Sequence, residues 1–270
     1  MGKFDGVLLA TDYDDTYCPE SGIIPPANLE AVEYFKACGG LFTVATGRAH
    51  RTFAPFLHLA PVNAPVVLSN GAQLYDFSRN EMLVSTTLPL SVAEDMETLF
   101  RMEPRLGMEA YHNEEVYVRN PNPWIDYHLN KAGAKAVECP LSQIPQPWGK
   151  AILENDSEIL LPIQRYILEH WGDRYEAIFS NFHMLEITAK GANKGGMVQE
   201  LARRLNIARE NLYCVGDNQN DIPMLKISAI PFAPADCAQA VKDWGATLVP
   251  PCEEGTIAAV IALLDKRYSI

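Results

Sequence analysis

The chain has 270 residues, 48% of them hydrophobic, which is enough for a sizeable buried core and too many for a disordered chain. Its length fits two domains, or one large one. The net charge of −12 and pI of about 4.9 argue against a nucleic-acid backbone as partner, since that calls for a basic face.

The first six residues lack the shape of a signal peptide, and Gly2 lacks the hydroxyl residue a myristoylation site needs. No apolar run approaches membrane-spanning length. The six cysteines, at 18, 38, 139, 214, 237 and 252, form no CxxC pair. They read as reduced thiols in a cytoplasmic protein.

A short apolar run, Val7-Leu8-Leu9-Ala10, leads into Thr11-Asp12-Tyr13-Asp14-Asp15-Thr16. It reads as a buried strand of a parallel sheet that ends in three carboxylates. Pro25-Pro26 opens a helix that Gly39-Gly40 closes, with Leu29, Val32 and Phe35 facing inward. A second strand at 41–45 ends in Thr46-Gly47-Arg48, and the helix after it is disturbed by Pro55. A third strand at 66–69 ends in Asn70-Gly71. This β-α-β-α-β order predicts a parallel sheet with right-handed crossovers.

The rhythm then changes. A hairpin is expected from 73–76 and 82–86, then a helix from a Ser91/Glu94 capping box to about Arg101. Strands follow at 107–111 and 116–119 around His112-Asn113-Glu114. Residues 120–147, rich in Pro and Asn, read as less regular, with no element assigned. A strand at 149–153, a helix from Asp156-Ser157 to His170 and a strand pair at 177–180 and 184–188 complete an α+β unit. Alternation resumes with a helix at 194–205 and a strand at 212–215. Gly216-Asp217-Asn218-Gln219-Asn220-Asp221 and a short helix come next. A strand at 230–233, a helix to Trp244, a strand at 247–249 and a helix from Thr256 finish the chain. The expected fold is α/β: a Rossmann-like, doubly wound parallel sheet built from 1–86 plus 189–270, with residues 87–188 inserted as an α+β cap.

Four polar signals fall at strand ends or at a helix start: Asp12-x-Asp14, Thr46, Lys194 and Asp217-x-x-Asn220-Asp221. In open α/β sheets such ends border the ligand crevice. A hydroxyl, an ammonium and a helix N-terminus suit a phosphoryl group, whereas the carboxylates suit Mg²⁺. Two like charges about 4 Å apart repel by ~4 kcal/mol at an effective dielectric of about 20. A phosphate beside Asp12, Asp14 and Asp217 therefore needs the metal as well as Lys194. Gly191-Ala192-Asn193-Lys194-Gly195-Gly196 is not a P-loop, because its lysine does not follow the closing glycine. The six histidines form no metal-spaced pair and read mostly as surface or packing residues. The same holds for Trp124, Trp148 and Trp171.

Together these segments resemble the motifs of the haloacid dehalogenase superfamily of phosphohydrolases, in its Cof-like branch with an α/β (type C2B) cap. The resemblance is specific at 9–16, 44–48, 68–72, Lys194-Gly195 and 215–225, and extends to 234–242 and Glu253-Glu254-Gly255. In the cap it rests on length and strand content alone. It implies Asp12 as a nucleophile that forms an aspartyl-phosphate and Asp14 as general acid and base. Thr46 and Lys194 would hold phosphoryl oxygens. Mg²⁺ would be bound by Asp12, the Asp14 carbonyl and Asp217, with Asp221 and Asn220 in support. Arg48, Asn70 and Gly71 would lie against substrate. Asp15 stands where the family usually has glycine; its amide would remain available and its carboxylate would point away. The implied activity is a phosphatase for small phosphorylated metabolites, sugar phosphates foremost. The rival readings are a phosphomutase or phosphotransferase on the same scaffold and a non-enzymatic, receiver-like phospho-aspartate module.

Overall fold

A computed structural model describes residues 2–113 and 115–269. In the first half, strands β1 (Leu8–Thr11), β2 (Leu41–Val44), β3 (Val66–Leu68), β4 (Gln73–Asp76) and β5 (Glu81–Ser85) enclose helices α1 (Pro26–Ala37) and α2 (His50–Phe53). The middle holds α3 (Val92–Met102), β6 (Gly107–His112), β7 (Glu115–Arg119), α4 (Pro123–Ala132) and β8 (Ala136–Glu138). It continues with β9 (Lys150–Glu154), α5 (Ser157–Trp171), β10 (Tyr175–Asn181) and β11 (Met184–Ala189). The last part is α6 (Lys194–Arg204), β12 (Leu212–Val215), α7 (Ile222–Leu225), β13 (Pro231–Pro234), α8 (Gln239–Trp244), β14 (Thr247–Val249) and α9 (Thr256–Arg267). Glu114, in the expected turn before β7, lies outside the described residues.

The central sheet has the order β14-β13-β12-β1-β2, and every pair in it is parallel. Strand β1 is buried on both faces, which is why its sequence is continuously apolar. Leu9 packs into one cluster with Val32 and Phe35 of α1 and Ile257, Val260 and Ile261 of α9. Leu8 and Ala10 face the opposite cluster, with Val198 and Leu201 of α6 and Met224 of α7. From β1 the chain builds outward to β2, then returns to add β12, β13 and β14 on the other side. The strand order therefore reverses beside β1, where such sheets open a ligand crevice.

The third strand departs from expectation. It meets the central sheet at a single parallel bridge, Ala45–Val67, supported by Thr46 N–H donating to Val67 O at 2.9 Å. Otherwise β3 pairs antiparallel with β4, and β4 with β5. The helix after Arg48 covers only His50–Phe53 before a 3₁₀ segment, Ala54–Leu59, because Pro55 offers no N–H to continue it.

Residues 88–187 supply a second core of their own, with Val92, Leu99, Trp148, Leu153, Leu160 and Ile187 among its members. It lies against a six-stranded sheet of order β10-β11-β9-β6-β7-β8. Two sequence readings fail here. The Ser91/Glu94 capping box does not form, because Ser91 is itself in the helical region (φ −70°, ψ −8°). Its hydroxyl donates instead to Asp95 at 3.1 Å, an acid shared with Arg174 and Tyr175. The segment read as less regular contains α4 and β8. Asn122 caps α4 by accepting from the Trp124 and Ile125 amides, Pro123 fills the first turn and Gly133 ends it at φ +61°.

Candidate active site

Of the expected site residues, Asp12 and Asp14 follow β1, Thr46 and Arg48 follow β2, Asn70 and Gly71 follow β3, Asp217, Asn220 and Asp221 follow β12, and Lys194 opens α6. Asp12 follows β1 directly, and its N–H extends the β1–β12 ladder by donating to Val215 O at 2.9 Å. Asn193 caps α6 by accepting from the Gly196 amide at 2.9 Å, which sets Lys194 at the first helical position. The Lys194 ammonium, 1% exposed, donates to Asp12 Oδ1 and to Asp221 Oδ1, each at 2.6 Å. The other Asp221 oxygen accepts from the amides of Asp217 (2.9 Å) and Asn218 (3.0 Å). With both oxygens engaged, Asp221 fixes the loop that carries Asp217. Thr16, four residues beyond Asp12, donates to Asp217 Oδ1 at 2.6 Å. Oxygens of Asp12, Asp217 and Asp221 all lie within 4.8 Å of one another.

Thr46 lies two residues past β2 and is fully buried; its hydroxyl oxygen accepts from the Arg48 amide at 3.1 Å. The Arg48 guanidinium forms a two-pronged pair with Asp14, at 2.9 and 2.6 Å, and lies over the Tyr13 and Phe56 rings. Asn70 accepts from the Asn220 amide group at 3.0 Å, while Asn70 Nδ2 and Asn220 Oδ1 are buried without a protein partner. Ser69, Asn70 and Gly71 adopt φ values of +52°, +53° and +96°, a concentration of strain of the kind that gathers at functional sites. Asp15 also has a positive φ, +61°, which explains a glycine preference there. Its side chain is exposed as expected, but its amide is not available, because it donates to Cys18 O at 2.9 Å.

The donor set around Asp12 and Asp217 is all oxygen, which suits a hard divalent cation. Charge points the same way. Fully ionised, Asp12, Asp14, Asp217 and Asp221 would carry four negative charges against the two positive ones of Lys194 and Arg48, an excess that protons or a bound cation must relieve. The orphaned Asn220 oxygen adds an acceptor beside the cluster.

A family model described as haloacid dehalogenase-like hydrolase matches residues 9–261. The chain belongs to the haloacid dehalogenase-like hydrolases. It is 22% identical over 249 residues to the pyridoxal phosphate phosphatase YbhA of Escherichia coli, covering 87% of this chain and 90% of that protein. It is 24% identical over 230 residues to the HMP-PP phosphatase of Serratia proteamaculans, covering 81% and 80%. Among solved structures, the subclass IIB sugar phosphatase BT4131 superposes with a TM-score of 0.84 at 19% identity, over 96% of this chain and 99% of that one. SMU.1108c of Streptococcus mutans gives 0.83 at 22% identity, over 96% and 98%. At these identities the superpositions establish the fold. Among the described residues, no helix is long and apolar enough to cross a membrane.

In this haloacid dehalogenase-like hydrolase, burial raises the pKa of Asp12 more than Lys194 lowers it. For Lys194 the balance runs the other way: burial opposes the charge, but Asp12 and Asp221 outweigh it and hold the ammonium's pKa up. Burial, then Asp221, push Asp217 up to about 7. An unfolded aspartate titrates near 3.9, so metal-free folded protein holds a proton on Asp217 that the unfolded chain has released. That contribution to stability is complete below about pH 4 and is lost as pH rises through about 7. The difference in unfolding free energy between the wild type and Asp217→Asn, measured without metal, should therefore move against the wild type over that window, by up to ~1.4 kcal/mol per pH unit. With Asp217 as a metal ligand, the role proposed for it below, Mg²⁺ affinity should climb as pH rises through about 7. A pH-independent difference and a flat Mg²⁺ affinity would refute this assignment.

The residues missed in the sequence are Thr16, Asn218 and Lys150. Thr16 stood inside the first motif, and its spacing from Asp12 was the available signal. Asn218 Nδ2 donates to Ser180 O at 3.1 Å, and Lys150 Nζ donates to Gly47 O at 3.2 Å. Both join the cap-like sheet to loops of the site. Lys150 is buried, pairs with Glu186 at 3.1 Å and lies over the Tyr111 ring. A charged residue in a predicted strand was the only hint of it. A cavity of about 380 Å³ opens between Ser69 and Gln73 on one side and Tyr111 and Lys150 on the other.

Gly71 controls how closely the 69–71 turn approaches α6. A Cβ there would stand 2.1 Å from Asn193 O, a backbone atom with no room to yield, and the φ of +96° already disfavours a side chain. Gly71→Ala should destabilise the fold by about 1–3 kcal/mol from the dihedral alone, and more from the collision. It should also lower activity, since Asn193 caps the helix that presents Lys194. An unchanged urea midpoint would show that the turn and α6 are not tightly coupled.

Proposed function

We propose that this chain is a Mg²⁺-dependent phosphatase of small phosphomonoesters, with sugar phosphates the leading class, working through an aspartyl-phosphate on Asp12. The observation that carries this reading is Lys194, a buried ammonium shared by Asp12 and Asp221 at the reversal point of a parallel sheet. A buried lysine that only paired carboxylates would not need a third one, Asp217, within 4.8 Å of both its partners.

In the first step an Asp12 carboxylate oxygen attacks phosphorus, and the bond from phosphorus to the ester oxygen breaks. Asp14 gives its proton to the departing oxygen. In the second step water attacks phosphorus and loses a proton to Asp14, the acyl-phosphate bond breaks, and Asp12 is restored. Lys194, Thr46 and the unpaired Asn70 amide group would hold the phosphoryl oxygens, with Gly71 keeping the turn close. Arg48 orients Asp14 between turnovers. Asp12, the Asp14 carbonyl and Asp217 would hold Mg²⁺, with Asn220 and Asp221 behind them. When bound, that ion offsets charge on the phosphoryl group.

Residues 87–188 would serve as a cap over the 1–86 plus 189–270 core, excluding bulk water and selecting the leaving group. The Lys150–Gly47 and Asn218–Ser180 hydrogen bonds support that arrangement. The phosphatase names of the relatives support the phosphatase reading. The test is phosphate release from a panel of phosphorylated metabolites, with Mg²⁺ and with a chelator. Release that depends on Mg²⁺ from at least one monoester is expected. Release indifferent to chelation, or none across the panel, would overturn the proposal.

A further inference from the structure

A second cluster of ionisable groups lies in the cap-like sheet, away from Asp12. Glu109 on β6 and Glu154 on β9 occupy neighbouring antiparallel strands, where Glu109 is opposite Ile152 and Glu154 is opposite Gly107. Side chains alternate along strands, so both glutamates project from one face. That face is opposite to the apolar one carrying Met108, Ala110, Ala151 and Leu153. Helix α4 lies on it and contributes His128. His128 Nδ1 is 3.0 Å from Glu109 Oε1 and 3.7 Å from Glu154 Oε1.

Both glutamates are fully buried. Glu109 is satisfied: the Tyr111 hydroxyl donates to its second oxygen at 2.6 Å, and its first is hydrogen-bonded to His128 Nδ1. Glu154 is not: both of its carboxylate oxygens are buried without a hydrogen-bond donor. Among the described residues neither glutamate pairs with a lysine or arginine. The nearby Lys150 is committed to Glu186 and Gly47. A buried carboxylate without donors is costly, and native folds normally supply a partner.

We propose that Glu109, His128 and Glu154 form a second divalent-cation site, suited to Zn²⁺ or a similar borderline transition ion. One ligand atom from each residue falls within 4.8 Å of the other two. With bonds of about 2.1 Å, tetrahedral ligands stand about 3.4 Å apart. The observed separations of 3.0 and 3.7 Å lie on either side of that value. Two carboxylates and a neutral imidazole carry two negative charges, which one divalent ion cancels. The imidazole distinguishes this site from the all-oxygen cluster at Asp12 and favours a softer ion than Mg²⁺. The His128 side chain is 22% exposed, which leaves a route in and room for water as a fourth ligand. A bound ion would tie α4 to the sheet beneath it.

The test is a Zn²⁺ titration of the full chain by calorimetry in saturating Mg²⁺, with thermal unfolding in parallel. One equivalent of Zn²⁺ should bind and raise the unfolding midpoint. Glu154→Gln and the partly exposed His128→Gln should each weaken that binding by more than the roughly 10–100-fold lost with an outer partner. Asp217→Ala should keep it. Anomalous scattering at the zinc edge should place the ion between α4 and β9. No Zn²⁺ binding, or binding abolished by Asp217→Ala and untouched by His128→Gln, would overturn the proposal.

Discussion

Replacing Asp12 by Asn should lower kcat by at least about 10⁴-fold while leaving the protein folded. The amide matches the carboxylate in shape and keeps an oxygen for Lys194 to donate to at the 2.6 Å contact. It is not nucleophilic, so the covalent step stops. Stability should be unchanged or higher without metal, because burial and three neighbouring carboxylates (Asp221, Asp217 and Asp14) make ionised Asp12 a net cost despite Lys194. Initial rates on an aryl phosphate and a urea midpoint decide the matter. Wild-type turnover by the variant would remove Asp12 from its role, and a collapsed fold would show that its contribution is structural.

Lys194→Ala should do the opposite to stability. It removes a fully buried cation from between Asp12 and Asp221 and leaves both acids uncompensated. Breaking such a pair by deleting one partner costs about 3–5 kcal/mol. Saturating Mg²⁺ should recover part of that loss, since the ion supplies the missing positive charge. Activity should not recover, because the ion cannot take the place proposed for Lys194 on a phosphoryl oxygen; a loss of at least about 10³-fold is expected for a buried electrostatic contact to the reacting group. Denaturation in the presence and absence of Mg²⁺, together with kcat, separates the two effects. A variant as stable as wild type without metal would contradict the charge balance described for the site.

The sequence made the scaffold legible because the scaffold is local. Val7 to Ala10 is apolar throughout since β1 is covered on both faces, and the carboxylates after it stand at a strand end wherever that strand is placed. Lys194 was recognisable because it opens the helix expected at 194–205. Partnerships across the chain were not legible. The Thr16–Asp217 bond joins residues 201 positions apart, and the Arg48–Asp14 pair depends on β1 and β2 being neighbours. The strained turn at 69–71 left only a glycine as a trace. Helix α4 is a different case. Asn122, Pro123 and Gly133 are proper start and stop signals, but a segment rich in Pro and Asn was read by composition rather than by position. His128 sits on that helix, so its place beside Glu109 and Glu154 was lost with it.

The central claim is that Asp12 carries the phosphoryl group during turnover. Asp14→Asn should allow the first step with an aryl phosphate, whose leaving group needs no proton, and stall the second for want of a base. Acid quenching followed by borohydride reduction converts an aspartyl-phosphate to homoserine, and peptide mapping by mass spectrometry locates it. The account predicts homoserine at position 12 and nowhere else. Phosphate released at the same rate with no reduced residue, or a reduced residue at another aspartate, would contradict it.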